Sequence, residues 1–147
     1  MKNRVIVFLF LAAGLLMVPP AIDAHHAEAN YDHDNLWVFK GTVSQFDFVN
    51  PHVILHFEIK NKDGQAEQWV GTESSPNAMR RYGWSQATAK PGDSVVISGF
   101  REKDGRLQMQ IAIFVVNGKE YQSSTTAAGQ LDGYEERNPG KAPHNYN

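Results

Sequence analysis

The segment from residue 52 to residue 60 limits the possible fold of this chain more than any other part of the sequence. Asn50-Pro51 before it and the polar stretch 61–64 after it are typical of turns. Between these turns, every second side chain is apolar: Val53, Leu55, Phe57 and Ile59. An alternation with a period of two predicts a β-strand that buries one face. We therefore expect a β-rich protein.

Four further segments have the aromatic and β-branched composition of strands, at 36–49, 66–72, 94–102 and 107–116, the last continuing past Asn117-Gly118.

A short helix is expected between the third and the fourth strand. Ser75 can cap it, Pro76 suits its first position and Gly83 can end it. Three strands, a short helix and two strands follow each other in the OB-fold, where the helix closes one end of a Greek-key barrel. The sequence thus predicts a mainly β fold, a small five-stranded OB-fold-like barrel with one short helix between strands 3 and 4.

The beginning of the chain has the pattern of a secretory signal peptide. Lys2 and Arg4 precede an apolar run from residue 5 to residue 18, and Ala24 stands just before His25. The run is shorter than the roughly 20 residues that a membrane span needs. We expect cleavage after Ala24 and a periplasmic or secreted mature protein.

This leader divides the chain into four expected regions. Residues 1–24 are the signal peptide, 25–35 an N-terminal arm and 36–121 the β-barrel domain. Residues 122–147 are rich in Ser, Thr, Gly, Pro and Asn, a composition typical of a disordered tail.

The composition argues against several classes of function. The chain contains no cysteine, which excludes disulfides, thiolate metal sites and a cysteine nucleophile. Its net charge is −2 and it has no basic stripe, so nucleic acid is not an expected partner. No second apolar span or lipidation motif indicates membrane attachment after leader removal. No catalytic motif is present, so binding is favoured over catalysis.

The histidines offer the most specific chemical hypothesis, a Cu(II) site. After cleavage, His25 would present its amino group and its imidazole to one metal ion, and His26 follows it. Nitrogen ligands in a tetragonal arrangement suit Cu(II). A third nitrogen could come from His52, which follows a stiff proline at the start of a strand, or less readily from His56, four residues further along that strand. His33 is a second option. Alternatively, His25 and His26 belong to a frayed terminus, and the ring of His52 bonds a backbone carbonyl.

A second hypothesis is a metal-free ligand site beside the short helix. Its candidate residues are Glu73, Asn77, Arg81 and Trp84. Arg81 could clamp a carboxylate or phosphate group, and Trp84 or Trp69 could offer a stacking face. This would make the protein a ligand- or protein-binding module of the cell envelope. The structural alternative is that Trp84 packs after the helix and the arginines cover apolar surface. Buried indoles would remove the groove.

Several short motifs in this order are similar to those of a family of exported bacterial proteins, the domain of unknown function 6152. They are His25-His26, Gly41-Thr42-Val43, Asn50-Pro51-His52, Ser75-Pro76-Asn77 with Arg81 and Gly83-Trp84 downstream, and Lys90-Pro91-Gly92-Asp93. The resemblance spans roughly residues 25–121 and implies an exported, compact β-rich domain. It implies no activity, because none is assigned to the family.

Overall fold

The computed structural model describes residues 30–123, 129, 131 and 133–147. Their element order is β1 (Tyr31–Phe48), β2 (Val53–Lys60), β3 (Ala66–Thr72), α1 (Pro76–Arg80), β4 (Ser94–Glu102), β5 (Gln108–Val116), β6 (Lys119–Gln122), α2 (Tyr134–Arg137) and β7 (His144–Asn145). The signal peptide predicted at 1–24 and residues 25–29 of the predicted arm lie outside the described residues. No helix in the described segments is long and apolar enough to cross a membrane.

Five strands form a closed ring of hydrogen-bonded pairs. β1 pairs with β2, β2 with β3, β3 with β5, β5 with β4, and β4 again with β1. All these pairings are antiparallel except that of β3 with β5. The mainly β fold and the helix between β3 and β4 confirm the sequence prediction.

The long strand β1 closes the ring because it has two neighbours in succession. Its residues from Tyr31 to Thr42 pair with β4, whereas those from Thr42 to Phe48 pair with β2. Gly41 lies just before this change of partner. A Cβ atom there would stand 2.4 Å from the carbonyl oxygen of Glu58, so only glycine allows the two strands to approach this closely.

The main hydrophobic core fills the interior of the ring. The apolar face predicted for β2 is buried, with Val53, Leu55, Phe57 and Ile59 all in this core. A smaller cluster contains Leu36, Phe100, Ala112 and Tyr134. Ala112 and the core residue Ile111 are neighbours along β5, so the smaller cluster lies on the opposite face of that strand.

The structure differs from the sequence prediction at both ends of the domain. β1 begins at Tyr31, inside the predicted arm at 25–35, and β6 extends the sheet to Gln122. Within the predicted tail at 122–147, Tyr134 joins the smaller cluster and β7 pairs with β1. The tail is polar on average, and this average concealed the few aromatic residues that dock it.

Candidate functional site

The loop Asn50-Pro51-His52 lies beside the end of β3. The amide of Val53 donates to the carbonyl oxygen of Ser74 at 3.0 Å, and the amide of Glu73 donates to that of Val53 at 3.0 Å. The Asn50-Pro51 peptide bond is cis. These bonds extend the β2–β3 pairing and fix the backbone of His52 next to that of Glu73.

The ring of His52 is exposed and has a defined hydrogen bond. Its Nδ1 lies 3.2 Å from the carbonyl oxygen of Glu73. A carbonyl oxygen can only accept, so Nδ1 carries the hydrogen, and in the neutral ring Nε2 keeps its lone pair. Histidines that bind metals through one ring nitrogen commonly donate the other N–H to such an oxygen. The geometry of His52 therefore satisfies both the structural and the metal-ligand interpretation.

The described chain begins close to this loop. The phenol of Tyr31 hydrogen-bonds to the side chain of Thr72, the residue before Glu73. Burial, followed by the negative charge of Glu102, raises the pKa of Tyr31. The described part of the chain thus begins beside the end of β3.

His33 lies on the same part of the sheet. Its Nε2 is 3.2 Å from Oε1 of Gln110, whose backbone pairs with Thr72. Its ring meets that of Phe100 edge-on, with the centroids 4.9 Å apart. His33 is therefore held by side-chain contacts close to the point where the chain enters.

The predicted metal site is not complete within the described residues. His25 and His26 lie outside them, and the described residues contain no group of three or more histidine and acidic side chains that could hold a metal ion. An extended segment from His25 to Asn30 could span up to about 18 Å. In the sequence hypothesis, the further ligands of a centre at His52 come from that segment. His56 belongs to a different contact, with Nε2 3.5 Å from Oδ2 of Asp47.

Glu73 and Trp84, two candidates for the ligand groove, are buried. Oε2 of Glu73 accepts a hydrogen bond from Oγ of Ser123 at 2.8 Å. Nε1 of Trp84 donates to the carbonyl oxygen of Gln122 at 2.7 Å, and its ring stacks on Phe114. Trp69 is also fully buried. Neither Trp84 nor Trp69 therefore offers an exposed stacking face beside the short helix.

Asn77 and Arg81, the other two candidates, are exposed on and after α1. Oδ1 of Asn77 accepts from Nη1 of Arg80 at 2.7 Å. The guanidinium of Arg80 in turn lies 5.2 Å from the ring centroid of Phe48. Ser75 caps the helix by accepting from the amide of Ala78, as predicted. These contacts account for the presence of Ser75, Asn77 and Arg80 in and beside the helix without a bound ligand.

Sequence reasoning missed a second surface, which we call the aromatic groove and define by Trp37, Glu67, Trp69 and Arg101. The guanidinium of Arg101 lies 4.9 Å from the ring centroid of Trp37 and 4.9 Å from that of Trp69. Tyr146 enters the groove, and a pocket of about 350 Å³ adjoins it. Tyr146 is an aromatic residue in a polar tail, the one local signal that could have indicated this contact.

Glu67 organises the polar side of the aromatic groove. Its carboxylate accepts from Nδ2 of Asn61 at 2.8 Å, from Nε1 of Trp69 at 3.0 Å and from the hydroxyl of Tyr146 at 2.9 Å. The bonds from Asn61 and Trp69 are the main causes that hold its pKa below the ordinary value. The bonds from Asn61 and Trp69 thus favour the ionised carboxylate of Glu67, which accepts the hydrogen bond from the Tyr146 hydroxyl.

Two other motifs from the sequence have a clear structural role. The amide of Val43 donates to the carbonyl oxygen of Asp93, and the amide of Gly92 donates to that of Val43, each at 2.9 Å. Gly92 has a φ of 90°, which favours glycine. The turn before β4 is therefore joined to β1 by backbone bonds.

Comparisons with known proteins identify a family but no characterised relative. The model of a family of unknown function, DUF6152, matches residues 14–110. This range includes His25, His26, His33 and His52 but not the tail. No curated protein and no solved structure matches the chain.

Proposed function

This chain belongs to the DUF6152 family of unknown function, and we propose that it is an exported copper-binding protein. His25 would become the first residue when the leader is removed. Its amino nitrogen and its imidazole would bind Cu(II), and His52 would add a third nitrogen. His26 and His33 are the further candidate ligands in this proposal.

The observation that supports this proposal most is the hydrogen bond of His52. Because Nδ1 donates to the Glu73 carbonyl, Nε2 of the neutral ring is the free nitrogen of an exposed side chain. The bond also restricts rotation of the ring, which reduces the entropy lost when a metal binds. A nitrogen ligand held in this way suits Cu(II), for which imidazole is a common partner.

The entry of the chain beside β3 gives the proposal a plausible geometry. Tyr31 contacts Thr72, and His52 contacts the adjacent Glu73. A fully extended arm from Asn30 to His25 would reach up to about 18 Å, and the proposal requires His52 to lie within that reach. Export is part of the same proposal, because the amino group of His25 is free only after cleavage.

The first test concerns the leader. We expect the protein recovered from the periplasm of a bacterial host to have a mass that corresponds to residues 25–147, with His25 first on N-terminal sequencing. A protein that keeps residues 1–24, or that begins at another residue, would contradict the proposed amine ligand.

The second test is a Cu(II) titration followed by electron paramagnetic resonance on protein that begins at His25. We expect one tight site with nitrogen hyperfine structure. His52→Ala, or one extra glycine before His25, should each weaken the site at least about tenfold by removing a ligand.

His56→Ala is the matched control, since His56 is a histidine of the same β2 region that pairs with Asp47. Its Cu(II) affinity and spectrum should equal those of the unmodified protein. Equal affinity in all four proteins would refute the copper site.

The alternative function is a metal-free ligand- or protein-binding module that uses the surface near Arg81 and Trp84. It is less well supported, because Trp84 is only 2% exposed and its N–H is already bonded to a backbone carbonyl. A binding function without metal would have to use another surface.

A further inference from the structure

The C-terminal segment from Pro143 to Asn147 binds along β1 as an added strand. Trp37 pairs with His144 and Val38 with Asn145 in parallel orientation. The amide of Tyr146 donates to the carbonyl oxygen of Val38 at 3.0 Å. The segment therefore uses main-chain bonds that do not depend on its own sequence.

The last residue of the segment continues this pattern with its side chain. Oδ1 of Asn147 accepts from the amide of Lys40 at 2.9 Å, and its Nδ2 donates to the carbonyl oxygen of Lys40 at 2.6 Å. An amide side chain thus imitates a peptide group on both polar atoms of one β1 residue. The polar edge of β1 from residue 38 to residue 40 is satisfied by the segment.

This edge is open because β1 changes partner. β4 occupies one side of β1 up to Thr42, and β2 pairs with β1 only from Thr42 onward. Residues 37–40 therefore have one side without a neighbour from the ring. A sheet edge with unpaired N–H and C=O groups is a template for an extended peptide.

Two aromatic side chains of the segment, His144 and Tyr146, add specificity to the backbone pairing. The ring of His144 stacks on Trp37 with the centroids 4.7 Å apart. Tyr146 stacks on Phe39 at 4.8 Å, meets Trp69 edge-on at 5.2 Å and donates its hydroxyl to Glu67. The groove thus has one place for a flat ring at its mouth and one for a phenol inside.

We propose that the aromatic groove and the edge of β1 at residues 37–40 form a peptide-binding site for an extended segment of another polypeptide. A tyrosine of that segment would take the place of Tyr146, with its hydroxyl on Glu67, and its backbone would pair with β1. The chain's own segment 143–147 is an intramolecular occupant of the site. This inference does not depend on the copper proposal.

An intramolecular occupant competes strongly with a peptide in solution. A segment tethered by a short linker has an effective concentration on the order of millimolar. A free peptide then binds with an affinity reduced by the small fraction of molecules whose groove is open. Weakening the docked segment should increase the apparent affinity for the free peptide.

The test uses the full chain and a fluorescently labelled peptide with the sequence of residues 141–147, measured by anisotropy. Tyr146→Ala in the protein removes the ring and the hydroxyl from the groove. We expect this variant to bind the peptide about tenfold more tightly than the unmodified chain. A peptide with alanine in place of its tyrosine should lose this binding.

Two controls separate competition from damage to the fold. Asn145→Ala changes a neighbouring residue whose side chain makes no hydrogen bond within the described residues, so its peptide affinity should equal that of the unmodified chain. Tyr146→Ala combined with Glu67→Gln should bind the native peptide more weakly than Tyr146→Ala alone. Circular dichroism should show the same strand content in every variant.

Two results would overturn the proposal. One is equal peptide affinity for Tyr146→Ala and the unmodified chain. The other is equal binding of the native and the alanine-containing peptide, which would mean that the groove does not select a tyrosine.

Discussion

The loop around His52 and the aromatic groove are assembled from residues at very different distances along the chain. His52 contacts Glu73, 21 residues away, and the contact is supported by backbone bonds of two adjacent strands. In the groove, Tyr146 contacts Glu67 across 79 residues and Asn147 contacts Lys40 across 107 residues. A short motif can indicate the first kind of site, but only the folded chain brings the second kind together.

The two regions also use tryptophan differently. Trp84, which follows the helix, is enclosed by the core and donates to a backbone carbonyl. Trp37 is partly exposed. Its ring contacts the guanidinium of Arg101 and also stacks with His144 of the tail. An indole near a predicted site is therefore a structural residue in one place and a binding surface in the other.

The largest expected effect distinguishes these two tryptophans. Trp84→Ala should lower the free energy of unfolding by about 3–5 kcal/mol, because it leaves a large cavity and a carbonyl oxygen without its donor. Trp37→Ala should lower it by less than half as much, because part of its ring faces solvent. Urea denaturation of both variants measures the difference. Equal losses would contradict the division between core and groove.

A smaller effect is expected at the buried bond between Ser123 and Glu73. Ser123→Ala removes the hydroxyl that donates to the carboxyl group and should lower the free energy of unfolding by about 1–3 kcal/mol. Ser44→Ala is the matched control, since Ser44 donates to Gln68 at 3.3 Å on the exposed surface. That control should be nearly neutral, within about 0.5 kcal/mol. If Ser123→Ala and Ser44→Ala had the same free energy of unfolding, the bond from Ser123 to Glu73 would contribute no more stability than an exposed one.

The smallest expected effect is a pH dependence of tail docking through Glu67. Its pKa is lower in the folded chain than the ordinary value of 4.5. The stability that ionised Glu67 contributes to the folded chain is therefore complete above pH 4.5 and is lost as the pH falls through the lowered pKa. Tyr146 and Arg101 face the carboxylate, and Lys62 and Asp63 line the adjoining pocket.

We expect tryptophan fluorescence to report release of the tail as the pH falls below the ordinary pKa of 4.5 and through the lowered pKa of Glu67. Glu67→Gln should remove this transition. Glu58→Gln should preserve it, since Glu58 is an exposed acid of the neighbouring strand that bonds Gln68. The same transition in the Glu67→Gln variant would assign it to another group.

The fold could be predicted further than the site. Alternation in β2, the turn at 61–64 and the Ser75-Pro76 start of α1 are local patterns, and each corresponds to an observed element. The order of three strands, a short helix and two strands agrees with the prediction, whereas the ring of pairings is known only from the structure. The early start of β1 was missed because its first residues, from Tyr31 to Asn35, are polar and do not alternate regularly.

For the candidate sites, sequence reasoning identified His52 but could not choose between its two interpretations. The structure shows the predicted bond to a backbone carbonyl, a contact that is also compatible with a metal ligand. Trp84 is buried, as the structural alternative from its position after the helix stop expected. The aromatic groove could not be predicted from the sequence, because no local pattern relates Arg101 to Trp37 or Glu67 to Tyr146.

The parallel pairing of β3 with β5 is short, with three residue pairs between Val70 and Thr72 and their partners on β5. It also joins segments separated by two turns, a helix and another strand, and such non-local pairings form more slowly than local ones. We expect this joint to form late in folding and its amide hydrogens to exchange faster than those of β1 and β4. Thr72 belongs to it, so an open ring would separate the entry of the chain at Tyr31 from the loop of His52. Copper bound at the proposed site would then stabilise the closed ring.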